Sequence, residues 1–167
     1  MLRDTVHFRM MSLVHETVYS LFRDPYAPLR AAGLCPGQSV LEIGCGPGFF
    51  TLPAAEIVGQ AGSVTSVDVS PAAVAHVQRK VEAAKTPNVE VLLANASGTG
   101  LPDESFDLAF VFGLGHVVGN LQDMWVELHR LLRAEGTLAI EGRLEPPSAL
   151  FHPRQANGRI TRFGKVG

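Results

Sequence analysis

Cysteine, tryptophan and tyrosine are scarce: two, one and two in 167 residues. Cys35 and Cys45 are too few for a disulfide framework or a cysteine-based zinc site, so no metal centre is expected. Charge of one sign is also missing. Lys plus Arg number 14 against 16 Asp plus Glu, a formal net charge of −2. A chain this balanced has no bulk attraction to nucleic acid or to anionic membrane. No apolar run reaches transmembrane length; the longest, near Leu108 to Val118, is broken by glycines and by His116. Arg3, Asp4, His7 and Arg9 leave no apolar signal-peptide core, so a cytoplasmic location is the expectation. Against these absences stand 46% apolar residues and 18% charged ones. That composition excludes disorder and suits one globular domain with a sizeable core.

Apolar periodicity orders the chain. Met10, Met11, Val14, Val18, Leu21 and Phe22 recur at helical spacing, which predicts an amphipathic helix over Phe8–Phe22. Asp24-Pro25 ends it, and a short helix over Pro28–Ala32 stops at Gly33. Val40–Ile43 reads as a buried strand, Phe49–Val58 as a helix and Val64–Val67 as a strand ending in Asp68. Ser70-Pro71 caps a helix to about Ala84. Strand Val89–Leu93, a polar loop over Asn95–Ser105, strand Phe106–Phe112, helix Leu121–Leu132 and strand Thr137–Ile140 follow, with Ala134–Gly136 as a turn. On the last helix Asp123 and Glu127 are assigned to the wet face. Strands and helices alternating at this spacing predict an α/β, doubly wound parallel sheet. Residues 1–35 divide off as an N-terminal helical lid and 36–167 as the sheet domain.

From Gly142 the character changes. Arg143, Arg154, Arg159, Arg162 and Lys165 face Glu145, so this segment carries +4 and the rest of the chain −6. Pro146, Pro147 and Pro153 argue against regular pairing there. One strand, Arg159–Phe163, can be built; two cannot.

The chemistry concentrates at Glu42-Ile-Gly44-Cys-Gly46-Pro-Gly48, which closes the first strand. Alternate glycines let the backbone turn sharply and approach a ligand closely. The spacing is not the G-x-G-x-x-G of dinucleotide folds, and no Lys-Ser/Thr follows, which removes the phosphate-loop reading. The acidic residue two positions before the first glycine would repel a diphosphate and attract an ammonium or sulfonium. Asp68, twenty residues past Gly48, stands where a carboxylate accepts ribose hydroxyls. Together they favour a ligand with a ribose and no phosphates. Cys45 between the glycines reads as a small filler.

Val40-Leu-Glu-Ile-Gly-Cys-Gly-Pro-Gly-Phe-Phe, Val67-Asp-Val-Ser-Pro71, Leu101-Pro-Asp-Glu-Ser-Phe-Asp107 and Leu131-Leu-Arg-Ala-Glu-Gly-Thr-Leu138 resemble, in order, the motifs of class I S-adenosylmethionine-dependent methyltransferases. The resemblance covers about residues 36–141 and is strongest to the small-molecule branch that includes the ubiquinone/menaquinone C-methyltransferases. It implies a Rossmann-like fold and S-adenosylmethionine as cofactor. It implies that Glu42, Gly44, Cys45, Gly46 and Gly48 hold the methionine part, that Asp68 takes the ribose and that Val69 packs on adenine. Asn95 and Ala96 would lie along the adenine edge, with Asn95 where the family usually has Asp. Phe112 and Gly113 would line the methionine end.

His116, after the fourth strand, is the candidate base if the acceptor must lose a proton. Met11, Val14 and Tyr19 of the first helix are candidate walls of the acceptor pocket. The acceptor is expected to be a small apolar molecule. Phe112-Gly113-Leu114-Gly115 stands where amino-methylating enzymes carry Asn/Asp-Pro-Pro-Tyr/Phe, and a nucleic acid acceptor is disfavoured. A cofactor-binding protein without catalysis, a macromolecular methyltransferase and a nicotinamide oxidoreductase are the competing readings. Family members usually add an antiparallel hairpin after the fifth strand. Here Arg159–Phe163 is expected to cover the fifth strand in its own chain or in a partner's, with a homodimer favoured.

Overall fold

The computed structural model describes residues 24–113 and 120–167. The helix expected over Phe8–Phe22 lies outside the described residues, as do Met11, Val14, Tyr19 and His116. One seven-stranded sheet organises the rest, in the order β3-β2-β1-β4-β5-β7-β6. Its parallel part is β1 (Ser39–Ile43), β2 (Ser63–Asp68), β3 (Val89–Leu93), β4 (Phe106–Val111) and β5 (Leu132–Glu141). An antiparallel pair, β6 (Phe151–Asn157) and β7 (Ile160–Lys165), completes it. The helices are α1 (Tyr26–Ala32), α2 (Thr51–Val58), α3 (Pro71–Ala84) and α4 (Leu121–Leu131). The Rossmann-like α/β class read from the sequence is the one observed.

The period of two along each strand sorts side chains to opposite faces. Val40, Val64, Leu108, Phe110 and Ala139 meet α1 and α2 on one face. Leu41, Ile43, Val67, Ala109, Val111, Leu138 and Ile140 meet α4 on the other. Glu42 falls on the α2 face, two residues beyond Val40, and is buried there. Leu29 and Ala32 of α1 are fully buried against the same cluster, so this short helix is part of the core layer. Gly33 ends it with φ +96°. At α3 the side chain of Ser70 accepts from the Ala73 amide at 3.3 Å with Pro71 in the first turn, the cap that Ser70-Pro71 announces.

The chain runs outward from β1 through β2 to β3 and then crosses back to β4 on the other side of β1. That reversal opens a crevice at the carboxyl ends of β1 and β4, where open α/β sheets bind ligands.

Three expectations are corrected. Ala134–Gly136 is no turn between elements. Pairing passes from Phe106–Leu132 to Leu108–Thr137, so the intervening residues form an irregularity within β5. Glu127 is buried, because it shares the inward face of α4 with Met124, Leu128 and Leu131. The C-terminal segment builds two strands. Pro146 and Pro147 precede β6, and the Pro147 carbonyl accepts the amides of Leu150 and Phe151 at 2.9 and 3.0 Å, turning the chain into the strand. Pro153 sits within β6, where the register shifts between Pro153 and Gln155. β6 is the outer strand of the sheet, and an edge tolerates a residue without an N–H.

β7 pairs with β5 from Thr137–Gly164 to Glu141–Ile160 within the same chain. This is the self-covering arrangement of the two expected, and the case for a homodimer built on a bare β5 edge falls away.

Candidate functional site

The residues singled out on the glycine loop do converge at the carboxyl edge of β1 and β2. The loop leaves β1 with left-handed backbone at Gly44, Gly46 and Gly48. At Gly48 (φ +75°) a Cβ would come within 2.9 Å of Val77 on α3, so the missing side chain lets the loop press on that helix. At Gly46 (φ +50°) a Cβ would meet nothing within 4 Å. There the bare backbone faces open space.

Every amide of this loop that can donate is engaged inside the protein. Gly44 and Cys45 donate to the Val67 carbonyl at 2.8 and 3.2 Å, and Gly48 to that of Cys45 at 2.8 Å. The Gly46 amide donates to Asp68 Oδ2 at 2.8 Å. Pro47 has no amide hydrogen. An anion cradle needs convergent free N–H groups, and this loop offers none.

Glu42 lies beneath the loop. Its Oε2 accepts from Thr51 Oγ1 on α2 and Ser66 Oγ on β2, each at 2.6 Å. Burial pushes its carboxyl up to about 7, against the pull of the two hydroxyls. The nearby charge of Asp68 pushes the same way, while that of Lys80 lowers it. Glu42 thus clamps both flanks of the loop from below. Burial, with Glu42 and Asp68 close by, drives the Cys45 thiol upward, so it remains protonated and is no nucleophile.

Asp68, at the end of β2, accepts Gly46 on one oxygen and the Ser70 amide on the other, both at 2.8 Å. An ionised carboxylate retains lone pairs beyond these two bonds. Val69 beside it is 41% exposed, which is unusual for valine and leaves an apolar surface at the crevice. Asn95 follows β3; its Oδ1 caps the Ser97 amide at 2.9 Å. The Phe112 ring is buried with Phe50 and Phe110, at centroid distances of 5.3 and 4.9 Å. Its ring is therefore committed to the core, and at the end of β4 the exposed residue is Gly113.

A cleft of about 560 Å³ lies at the same edge, between α1, Phe49 and Phe50, and the ends of β5, β6 and β7. Ala27, Ala31 and Ile160 supply apolar walls. Glu141 and Arg159 pair on its lining, Arg159 Nε to Glu141 Oε1 at 3.4 Å. Sequence reading did not mark these residues. The signal present was position: Glu141 ends a parallel strand at the ligand-binding edge. Among the described residues no group of His, Cys, Asp and Glu is placed to hold a metal ion, and no helix is long and apolar enough to cross a membrane.

Residues 40–136 match the family described as a methyltransferase domain. The chain belongs to that family. Its motifs are those of the class I S-adenosylmethionine-dependent methyltransferases. It is 30% identical over 113 residues to a nocamycin O-methyltransferase from Saccharothrix syringae, covering 68% of this chain and 40% of that protein. It is 33% identical over 116 residues to a demethylmenaquinone methyltransferase from Shouchella clausii, covering 69% and 49%. The chain thus spans about half or less of the length of these curated relatives. Among solved structures, a SAM-dependent methyltransferase from Aquifex aeolicus superposes with a TM-score of 0.79 over 98% of this chain and 99% of that one, at 22% identity. This likeness is one of fold.

Proposed function

We propose that this methyltransferase-family chain binds S-adenosylmethionine in the crevice at β1 and β2 and transfers its methyl group to a small molecule. The observation that carries the reading is the glycine loop whose donating amides are all internally engaged, set between two carboxylates. Such a loop suits a ligand with a ribose and a cationic end and does not suit one with phosphates. The residues fit the cofactor on the same grounds. Gly46 opens on space that a side chain would fill, Asp68 keeps acceptor capacity toward ribose hydroxyls, and the exposed Val69 offers a face for adenine. Glu42 acts on the methionine end through its field from beneath the loop, since its side chain is too buried to reach out. When bound, the cofactor supplies an electrophilic methyl on a sulfonium. The protein's task is to align the acceptor with it and exclude water.

The cleft beside Phe49 and Phe50 is the acceptor's place in this reading. Its apolar walls suit an apolar body, and Glu141 with Arg159 suits one polar group on it. His116 as base and Met11, Val14 and Tyr19 as pocket walls remain part of the proposal; of the 1–35 lid, only the part ahead of α1 does, since Leu29 and Ala32 fix α1 in the core. Calorimetric titration with S-adenosylhomocysteine and with NAD tests the cofactor: micromolar binding of the first, about −8 kcal/mol, and none of the second is expected. Formation of S-adenosylhomocysteine with added small acceptors tests transfer. Binding without turnover across a broad acceptor panel would leave a cofactor-binding protein without catalysis.

A further inference from the structure

Between Leu93 and Phe106 the chain has no helix. Loops of this length without structure of their own are ordinarily mobile. Here the loop begins with Asn95 and Ala96, the residues that the proposed function sets against the adenine edge. One side chain on α4 secures it. Glu127 Oε1 accepts both the amide and the hydroxyl of Thr99, at 2.8 and 2.7 Å. The same Thr99 hydroxyl oxygen accepts the Leu101 amide at 3.2 Å. Arg130 then holds Glu127 in place, donating from Nε to Oε2 at 2.9 Å and from Nη2 to Oε1 at 2.7 Å. Arg130 also pairs with Asp103 of the loop. Ser97 Oγ adds a bond to the Asn120 carbonyl, at 3.0 Å, at the cap of α4.

We propose that Glu127 is a positioning residue for adenine recognition: through Thr99 it fixes the β3–β4 loop to α4, and so sets where Asn95 and Ala96 stand. The inference rests on the cofactor reading above and adds to it a residue remote from the ligand. A carboxylate accepting four hydrogen bonds, two of them from a guanidinium, is a stiff anchor. Arg130, then Thr99, hold its carboxyl down to about 2, so the anchor is ionised throughout the neutral range. The backbone of the loop start is tied as well, by the Ala94 amide to the Asp68 carbonyl at 3.1 Å. Asn95 is also tied to its own turn, its carbonyl accepting the Gly98 amide at 3.0 Å, so loosening Thr99 lets the Asn95–Gly98 turn shift as a unit while leaving the ribose end in place.

The test compares S-adenosylhomocysteine with its deaminated analogue S-inosylhomocysteine by calorimetry. The wild-type chain should prefer the adenine compound by about tenfold or more, since a fixed acceptor beside the amino group is satisfied by one base and not the other. Glu127→Gln keeps one oxygen for Thr99 but sets an amide NH2 against the Arg130 guanidinium, so the clamp is lost; S-adenosylhomocysteine binding should weaken by about tenfold and the preference fall to about twofold or less. Thr99→Val should move both quantities in the same direction, and Thr99→Ser should retain wild-type values. A folded Glu127→Gln or Thr99→Val variant with a lowered melting temperature and an unchanged preference would reduce Glu127 to a structural role and overturn the proposal. If Glu127→Gln does not fold, the two Thr99 variants decide. A wild-type chain that binds both compounds equally overturns the positioning role alone; one that binds neither overturns the cofactor reading beneath it.

Discussion

Glu42 and Asp68 flank one loop and differ in accessibility, and their substitutions should separate. The carboxyl of Glu42 rises from 4.5 to about 7 on folding. Between those values the folded chain holds a proton that the unfolded chain has lost. Stability linked to Glu42 is therefore full below pH 4.5 and declines as the pH rises toward 7, by about 3 kcal/mol in all. Glu42→Gln keeps an acceptor for Thr51 and Ser66 and removes this decline. Urea melts should find the variant at least as stable as wild type at pH 8, and titration should find it weaker toward S-adenosylmethionine. Equal affinity in the two proteins would deny Glu42 its electrostatic role. Asp68→Ala should cost about 1.5–3 kcal/mol of S-adenosylhomocysteine affinity through lost ribose bonds. Asp68→Asn, which can still accept from Gly46 or Ser70, separates that loss from a disturbed loop. At this scale the glycines and Asp68 were readable because strand, loop and helix lie within a few residues of one another. The anchoring by Glu127 was not, because its partner Thr99 is 28 residues away. The helical spacing of Glu127 with Met124, Leu128 and Leu131 was nevertheless in the sequence.

The glycine loop shows what an element does that its residues do not. Gly48→Ala forces a Cβ against Val77 at a left-handed position, a strain of about 1–3 kcal/mol, and it displaces α3 from the loop. Gly46→Ala meets no protein atom. Its left-handed backbone (φ +50°) should cost about 1–2 kcal/mol of stability, with no clash added, while the new methyl blocks the ligand's approach. Thermal melts paired with binding titrations check the contrast: Gly48→Ala loses mainly stability and Gly46→Ala mainly affinity. The hairpin was the least legible element. Proline counts against a strand when the strand's neighbours are unknown, and only the sheet order shows that β6 is paired on one side. The irregularity in β5 was hidden for a related reason. Gly136 reads locally as a turn, and its place inside a strand depends on the register with β4.

For the molecule as a whole, the body read as a doubly wound sheet from the order of its elements alone, since five strands with helices in three of the four connections leave few topologies. The end of the sheet requires β7, which covers β5 and carries Phe163 into the core beside Leu138 and Phe151. Removing residues 146–167 should therefore strip an apolar edge bare. Light scattering should show the shortened chain aggregating where the full chain does not. A soluble truncated protein with an unchanged melting temperature would mean that the hairpin contributes nothing to the fold.

The sheet order also dictates how the chain can be assembled. β6 emerges from synthesis before β7, yet its only partner in the sheet is β7. Phe151 thus has no ladder to join until Ile160–Lys165 has been made. Folding during synthesis is divided into two stages, a five-strand body that can condense early and a hairpin that docks as a unit afterwards. Until it docks, β5 would be an open edge of the kind that invites pairing with another chain.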